Sequence, residues 1–192
     1  MVVVTVDDKY DYIERRLGKF KAKAPKVMCK SINDTAKWAR RELAKEARKT
    51  YTVKQGRFYK NMAIKNARYS NLEATIQSEG APMKLVEFKY SAGKKTTKAQ
   101  VKLNGGLKAL EKGGIKAFVN KISSKSQSGG GHTGIAQRIG PERLPIKELF
   151  SNSIPVMIGN EKEVYGIVEP EIEKKLMQYV ESHIKKVLEG YE

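Results

Sequence analysis

The side chains best placed to do chemistry in this chain are its bases. Arg40, Arg41, Lys45, Arg48 and Lys49 crowd into one short stretch, and Lys94, Lys95, Lys98 and Lys125 stand among Gly, Ser and Thr. Long cations at this density hold phosphate by charge, and they neutralise a nucleic-acid backbone without reading its bases. Groups for bond-making chemistry are sparse. Of the two histidines, His132 lies in a Gly/Ser-rich stretch and His183 between Ser182 and Ile184, neither close in sequence to a candidate nucleophile. No His-x-x-x-His pair or carboxylate cluster has metal-ligand spacing. Cys29 is the single cysteine, so no internal disulfide and no cysteine metal cluster can form. These residues lead to an expectation of a non-enzymatic protein with no cofactor and no metal.

The charge is unevenly spread. The 192 residues carry a formal net charge of +17, divided as +4 over 1–30, +8 over 31–70, +8 over 71–140 and −3 over 141–192. All of the excess lies in the first 140 residues. Such asymmetry suits contact with a polyanion or an acidic protein surface, and plain solubility is the simpler alternative. No run approaches the roughly 20 apolar residues of a membrane helix, so no membrane is expected. Met1–Val6 is too short for a signal peptide and lacks a basic opening and a cleavage site.

The elements that must position these bases can be read from periodicity. Asp7 and Asp8 offer caps for a helix through Asp11–Leu17, which Gly18 should end. Ala24, Met28, Ile32, Ala36, Ala39, Leu43 and Ala47 then recur at helical spacing, with Pro25 suited to the first turn. This long amphipathic helix carries Arg40–Lys49 away from its apolar stripe. Trp38 lies about 100° off the stripe, either at the edge of the core or as an anchor in a subunit contact. A further short helical turn fits Lys54–Lys60. From Met62 the period changes to two. Short strands are expected at 62–67, 72–77, 84–90, 100–103, 114–120 and 135–139, forming one meandering antiparallel sheet. Segments 91–99 and 123–134 read as long mobile loops. Glu169-Pro170-Glu171 should open a C-terminal helix whose apolar face is Ile172, Leu176, Tyr179, Val180, Ile184, Val187 and Leu188. The fold class is therefore α+β: a single domain over 1–192, with a helical part (1–60), a basic sheet part (61–140) and a C-terminal part (141–192).

Between the sheet and the last helix lies a rigid elbow. Pro145 and Pro155 bracket Ile146, Leu149 and Phe150, and each proline pushes its preceding residue, Leu144 or Ile154, toward extended backbone. At most one or two helical turns should fit between them. Arg143-Leu144-Pro145-Ile146, then Phe150, then Ser153-Ile154-Pro155 closely resembles a segment of the minor tail protein Z family of long-tailed bacteriophages. Members carry Arg-Leu-Pro-Ile, an apolar or aromatic residue, and Ser-Val/Ile-Pro; many have Gly-Pro where this chain has Ser151-Asn152. The resemblance extends more loosely to the asparagine-threonine-alanine helix near the N-terminus and to the C-terminal helix, and is weak in the middle.

The resemblance implies a structural tail-completion or neck protein of a phage or prophage. Such a protein acts in head–tail joining and DNA passage as a subunit of a homo-oligomeric, hexameric ring. Its partners would be other head-completion and tail proteins, with double-stranded DNA held non-specifically in the lumen. It would reside in the virion, at the tail or head–tail junction, and in host cytoplasm during assembly. In that setting Trp38, Arg143, Leu144, Pro145, Ile146, Phe150, Ile154 and Pro155 are the candidate subunit or partner interface. Arg40, Arg41, Lys45, Arg48, Lys49, Lys94, Lys95, Lys98 and Lys125 are the candidate DNA-facing bases. Two other readings stay open: a host-type basic nucleic-acid-binding protein without ring assembly, and a protein whose basic face meets an acidic partner.

Overall fold

The computed structural model describes residues 2–4, 9–93, 96–122 and 132–190. Its spine is a helix of 27 residues, Ala24–Thr50, preceded by a shorter one at Tyr10–Leu17; these are α2 and α1. Gly18 ends α1 at φ +51°, a backbone region that side chains with a Cβ rarely adopt. At 1.5 Å per residue α2 spans roughly 40 Å. Its expected stripe is fully inside: Ala24, Met28, Ile32, Ala36, Ala39, Leu43 and Ala47 are all buried. Burial goes well beyond the stripe, because Val27, Ser31, Thr35 and Ala44 are enclosed too. The hydroxyls of Ser31 and Thr35 donate to the carbonyls of Val27 and Ser31, each at 2.8 Å. Satisfied within the helix in this way, they do not have to be hydrated and the wide face can be covered.

After the short helix α3 (Gln55–Lys60), β2 (Met62–Lys65) and β3 (Ala74–Ser78) form a hairpin, joined at its far edge by β1 (Val2–Val4). The hairpin packs on α2. Asn33 on α2 pins its loop, accepting from Ala67 N at 2.7 Å and donating to Ala67 O at 3.1 Å. The next strands are β4 (Met83–Lys84), β5 (Lys89–Ala92), β6 (Thr97–Gln100), β7 (Lys108–Ala109), β8 (Glu111–Lys112), β9 (Ile115–Lys116) and β10 (Phe118–Ile122). They are followed by β11 (His132–Arg138), β12 (Ile146–Glu148), β13 (Phe150–Ser151), α4 (Ile154–Ile158) and α5 (Tyr165–Leu188). The α+β class is as expected, and every ladder is antiparallel. Pairing is divided among several small sheets rather than one meander: β1-β3-β2, β10-β11-β12, β13-β4, β5-β6-β7 and β8-β9.

Several boundaries differ from the sequence expectation. Leu85–Glu87 is a single 3-10 turn where a strand was expected, and the turn expected after the 100–103 strand is a 3-10 turn over Leu103–Gly105 that takes in the strand's last residue. Gly114 is in a turn, not a strand, because Gly113 and Gly114 both have positive φ. Residues 91–99 are not a long loop, since β5 and β6 pair in register from Lys89↔Gln100 to Ala92↔Thr97. Of the stretch 123–134, residues 123–131 lie outside the described residues, and its end is not loop, because β11 starts at His132, opposite Ile122 on β10. The elbow, expected to hold at most one or two helical turns, holds none before Ile154 and instead carries β12 and β13, whose backbone groups pair with β11 and β4. The Leu144–Pro145 bond is cis. Ile154 opens α4 instead of remaining extended, with Pro155 in the first turn, where its missing N–H costs no bond.

α5 starts at Tyr165, so Pro170 lies inside the helix rather than in its first turn. The gain is burial: Val164, at the N-cap, and Val168, on the added turn, enter the core. Asn160 holds that turn in place. Its Oδ1 accepts from Lys162 N at 3.1 Å and Glu163 N at 3.2 Å, and its Nδ2 donates to the buried Tyr51 hydroxyl at 3.1 Å. α5 lies along α2, burying Ile172, Leu176, Val180, Ile184 and Val187. Leu188 is exposed, contrary to its expected place on the apolar face. α1 closes over α5 through Lys9–Glu173 (2.5 Å), Arg16–Glu181 (3.1 Å) and a Tyr12–Glu181 hydrogen bond.

Candidate nucleic-acid interface

With its apolar arc covered by α5 and by the β2–β3 hairpin, α2 shows solvent a single strip. Its exposed residues are Lys37, Arg41, Lys45, Arg48 and Lys49, and every one is a base. Lys37, Arg41 and Arg48 are separated by four and seven residues, which places them in line on one face, roughly 6 and 10 Å apart along the axis. Three of the five bases are partly neutralised from within the helix. Lys37 pairs with Asp34 at 3.0 Å, Lys45 with Glu42 at 2.9 Å and Lys49 with Glu46 at 2.5 Å. The hydrogen bond and charge of Glu42 raise the Lys45 ammonium above its ordinary value, so it stays charged. Exposed pairs of this kind are weak, and a phosphate can replace the carboxylate. Arg41 and Arg48 have no ion-pair partner among the described residues. They are the strip's most available cations.

Arg40 departs from the strip. Its guanidinium lies 4.0 Å from the centre of the Tyr59 ring, hydrogen-bonds the Tyr59 hydroxyl and donates to Met62 O at 3.2 Å. It ties α2 to α3 and β2, and offers less to a phosphate than its neighbours do. Lys98 is exposed on β6, in a sheet that joins the C-terminal end of α2 through Thr52 N donating to Val101 O at 3.0 Å. Lys94, Lys95 and Lys125 lie outside the described residues. Lys37 joins the strip although it was not among the candidate DNA-facing bases, and its spacing of four from Arg41 is the sequence signal for it. The Arg40–Tyr59 stack had no such signal, since only the turn after Tyr51 brings the ring onto the helix.

The candidate interface residues separate into two groups. Arg143, Leu144, Pro145 and Phe150 are exposed, and Leu144 is 67% so. Leu144 sits at a hairpin tip with exposed Ile139, whose N–H donates to Pro145 O at 3.1 Å. Ile146 is half-buried. Ile154 must be withdrawn from the interface, because it is 3% exposed and α4 turns it into the core. Pro155 instead lines a cleft of about 250 Å³ with Leu43, Met62, Ile76 and Ile158. Trp38 is half-buried against the core, with Lys175 Nζ 6.0 Å from its ring centre, so it holds the edge of the α2–α5 packing.

One pairing unforeseen in the sequence joins His183 and Asp34, with Nε2 and Oδ2 3.1 Å apart. His183 is 5% exposed, so the pair is a cross-link between helices and cannot address a substrate from there. Among the described residues, no three His, Cys, Asp or Glu side chains gather as a metal site requires. No described helix is long and apolar enough to cross a membrane. Comparison with protein-family models, with curated proteins and with solved structures returned no match.

Proposed function

We propose that this chain is a structural subunit of a phage tail or neck, taking part in tail completion, head–tail joining and DNA passage. It assembles with copies of itself, as a hexameric ring in the particle, beside other head-completion and tail proteins. Its basic helix strip is turned toward double-stranded DNA. The reading needs neither a cofactor nor catalytic groups. The observation that carries the DNA part is the uniform basicity of the exposed face of α2. A solvated helix face ordinarily mixes both signs; here the acids sit half-buried at the margins and the bases stand outside. Repeating that strip around a ring would multiply its field on the lumen. The elbow segment's resemblance to minor tail protein Z supports the assignment to a phage particle.

The test is titration of the purified chain with duplex DNA of mixed sequence across a salt series, with light scattering in parallel. The expected result is sequence-independent binding that weakens steeply with salt, and loss of most of that binding in Arg41→Glu/Arg48→Glu. Binding that is unaltered by the double substitution would sink the assignment of this face. DNA binding by a chain that stays monomeric at all concentrations, and is absent from assembled particles, would favour the non-ring nucleic-acid-binding alternative.

A further inference from the structure

We infer that the tip of the β2–β3 hairpin, Arg68-Tyr69-Ser70-Asn71, is a second phosphate contact that grips the same duplex at the end of the basic strip of α2. The inference rests on the DNA-facing reading of that strip and lengthens its footprint. Asn33 fixes the placement. It stands four residues before Lys37, so it lies roughly 6 Å along the axis and about 40° around it from the strip's first base. Its amide accepts from Ala67 N at 2.7 Å and donates to Ala67 O at 3.1 Å. Arg68 is the next residue, so the tip begins where the strip ends. From Asn33 to Lys49 the helix covers about 24 Å, the length of roughly seven base pairs.

The tip is rigid and built from groups that hold a nucleic-acid backbone. Arg68 N donates to Asn71 O at 2.9 Å and Asn71 N to Arg68 O at 3.0 Å, closing a turn with Tyr69 and Ser70 at its apex. A tip already held in one shape loses little freedom on binding. All four side chains are exposed, Tyr69 to 65%. Arginine, tyrosine, serine and asparagine each donate to phosphate oxygens. The charge here has one sign. Residues 60–72 contain Lys60, Lys65 and Arg68 and no acid. The neighbouring Glu73 is half-buried, its carboxylate accepting from the Thr75 hydroxyl at 3.1 Å. Lys65 and Arg68 have no ion-pair partner among the described residues. Bases that run from the tip through Lys37 and Arg41 to Arg48 suit a ligand whose charge repeats along a line. A duplex is such a ligand, with one phosphate per 3.4 Å or so of each strand.

Salt-series titrations of the full chain test this, with a labelled duplex of about 20 base pairs and a hairpin stem of about 6. On the long duplex, Arg68→Ala should flatten the log–log salt slope by about 0.9. Tyr69→Ala removes no charge, so it should weaken binding about threefold to tenfold and leave the slope unchanged. The short stem, at about 20 Å, falls short of the span from the tip to Arg48. On it the deficit of Arg68→Ala should shrink, because tip and strip no longer act on one ligand together. Both tip residues are exposed, and circular dichroism on the same samples checks the fold. If Arg68→Ala leaves slope and affinity unaltered while Arg41→Ala/Arg48→Ala flattens the slope, the inference is overturned and the strip stands. Equal Arg68→Ala deficits on long and short DNA would mean that the tip binds by itself, which overturns the shared grip. A slope flattened by Arg68→Ala but not by Arg41→Ala/Arg48→Ala would overturn the strip and the inference together. No change in either variant would do the same, and leave the face to an acidic partner.

Discussion

His183 on α5 and Asp34 on α2 meet with Nε2 3.1 Å from Oδ2, and the histidine is sealed within the interface. Burial alone would raise the Asp34 carboxyl, but hydrogen bonds from Lys37 and His183, with their charges, outweigh it and hold the group below its ordinary value. A carboxyl lowered on folding contributes stability above its unfolded value, near pH 4, and that contribution is lost as pH falls through the lower folded value. Asp34→Ala should therefore cost about 1 kcal/mol or less near neutrality, since Asp34 is a third exposed and partly screened. Denaturant titrations should show the gap between the two proteins shrinking below about pH 4. A gap that stays constant down to pH 2.5 would remove the ionic part of the explanation.

The DNA strip makes a quantitative claim about salt. If Arg41 and Arg48 each neutralise one phosphate, Arg41→Ala/Arg48→Ala should flatten the log–log salt slope by about 1.8, at roughly 0.9 per contact. Lys45→Ala/Lys49→Ala should change it less, because Glu42 and Glu46 already occupy those ammonium groups. Fluorescence anisotropy on a labelled duplex would measure both slopes, and equal losses would show that the ion pairs do not discriminate.

Asn160 is expected to be worth more than an exposed polar residue, since four hydrogen bonds converge on its amide. Asn160→Ala should destabilise the chain by about 1–3 kcal/mol by leaving buried donors and acceptors unpaired. Beside it, a Cβ on Gly166 would overlap the Glu161 carbonyl oxygen, a backbone atom that cannot easily give way. Gly166→Ala should be at least as damaging. Hydrogen exchange should show both substitutions loosening the start of α5 first; protection lost equally throughout would point to a different cause.

Close packing of α2 predicts intolerance to size. Ala36 and Ala39 have no exposed surface, so Ala39→Leu should overpack the core by about 1–3 kcal/mol. Thermal melts would register this. A neutral result would mean that the neighbouring side chains have room the structure does not show.

Tyr12 hydrogen-bonds Glu181, and this bond, followed by burial and the Glu181 charge, raises the phenol above its ordinary value. A raised folded value means the contribution is present below about pH 10 and fades as pH rises through the higher folded one. Tyr12→Phe should therefore differ from the parent at neutral pH and converge on it in alkali. Ultraviolet titration should also show one late phenol that moves earlier in Glu181→Gln.

What the sequence by itself determined is local and periodic. The α2 stripe follows from the 3.6-residue repeat of Ala24 to Ala47, the end of α1 from Gly18, and the basic strip from cations placed where the stripe is not. Each of these depends on the side chain and its near neighbours alone. What only the tertiary structure decided depends on distant partners. The helical start at Tyr165 overrides Pro170 because Asn160 bonds Tyr51 and because Val164 and Val168 find a core to enter. The division of the strands into small sheets depends on which edges reach one another. Arg40 leaves the phosphate-facing set because Tyr59, nineteen residues away, is folded onto it. The buried state of Ile154 and the His183–Asp34 link, across 149 residues, have the same origin. A chain's periodicity records which face is apolar, whereas the identity of what covers that face is settled only by long-range packing.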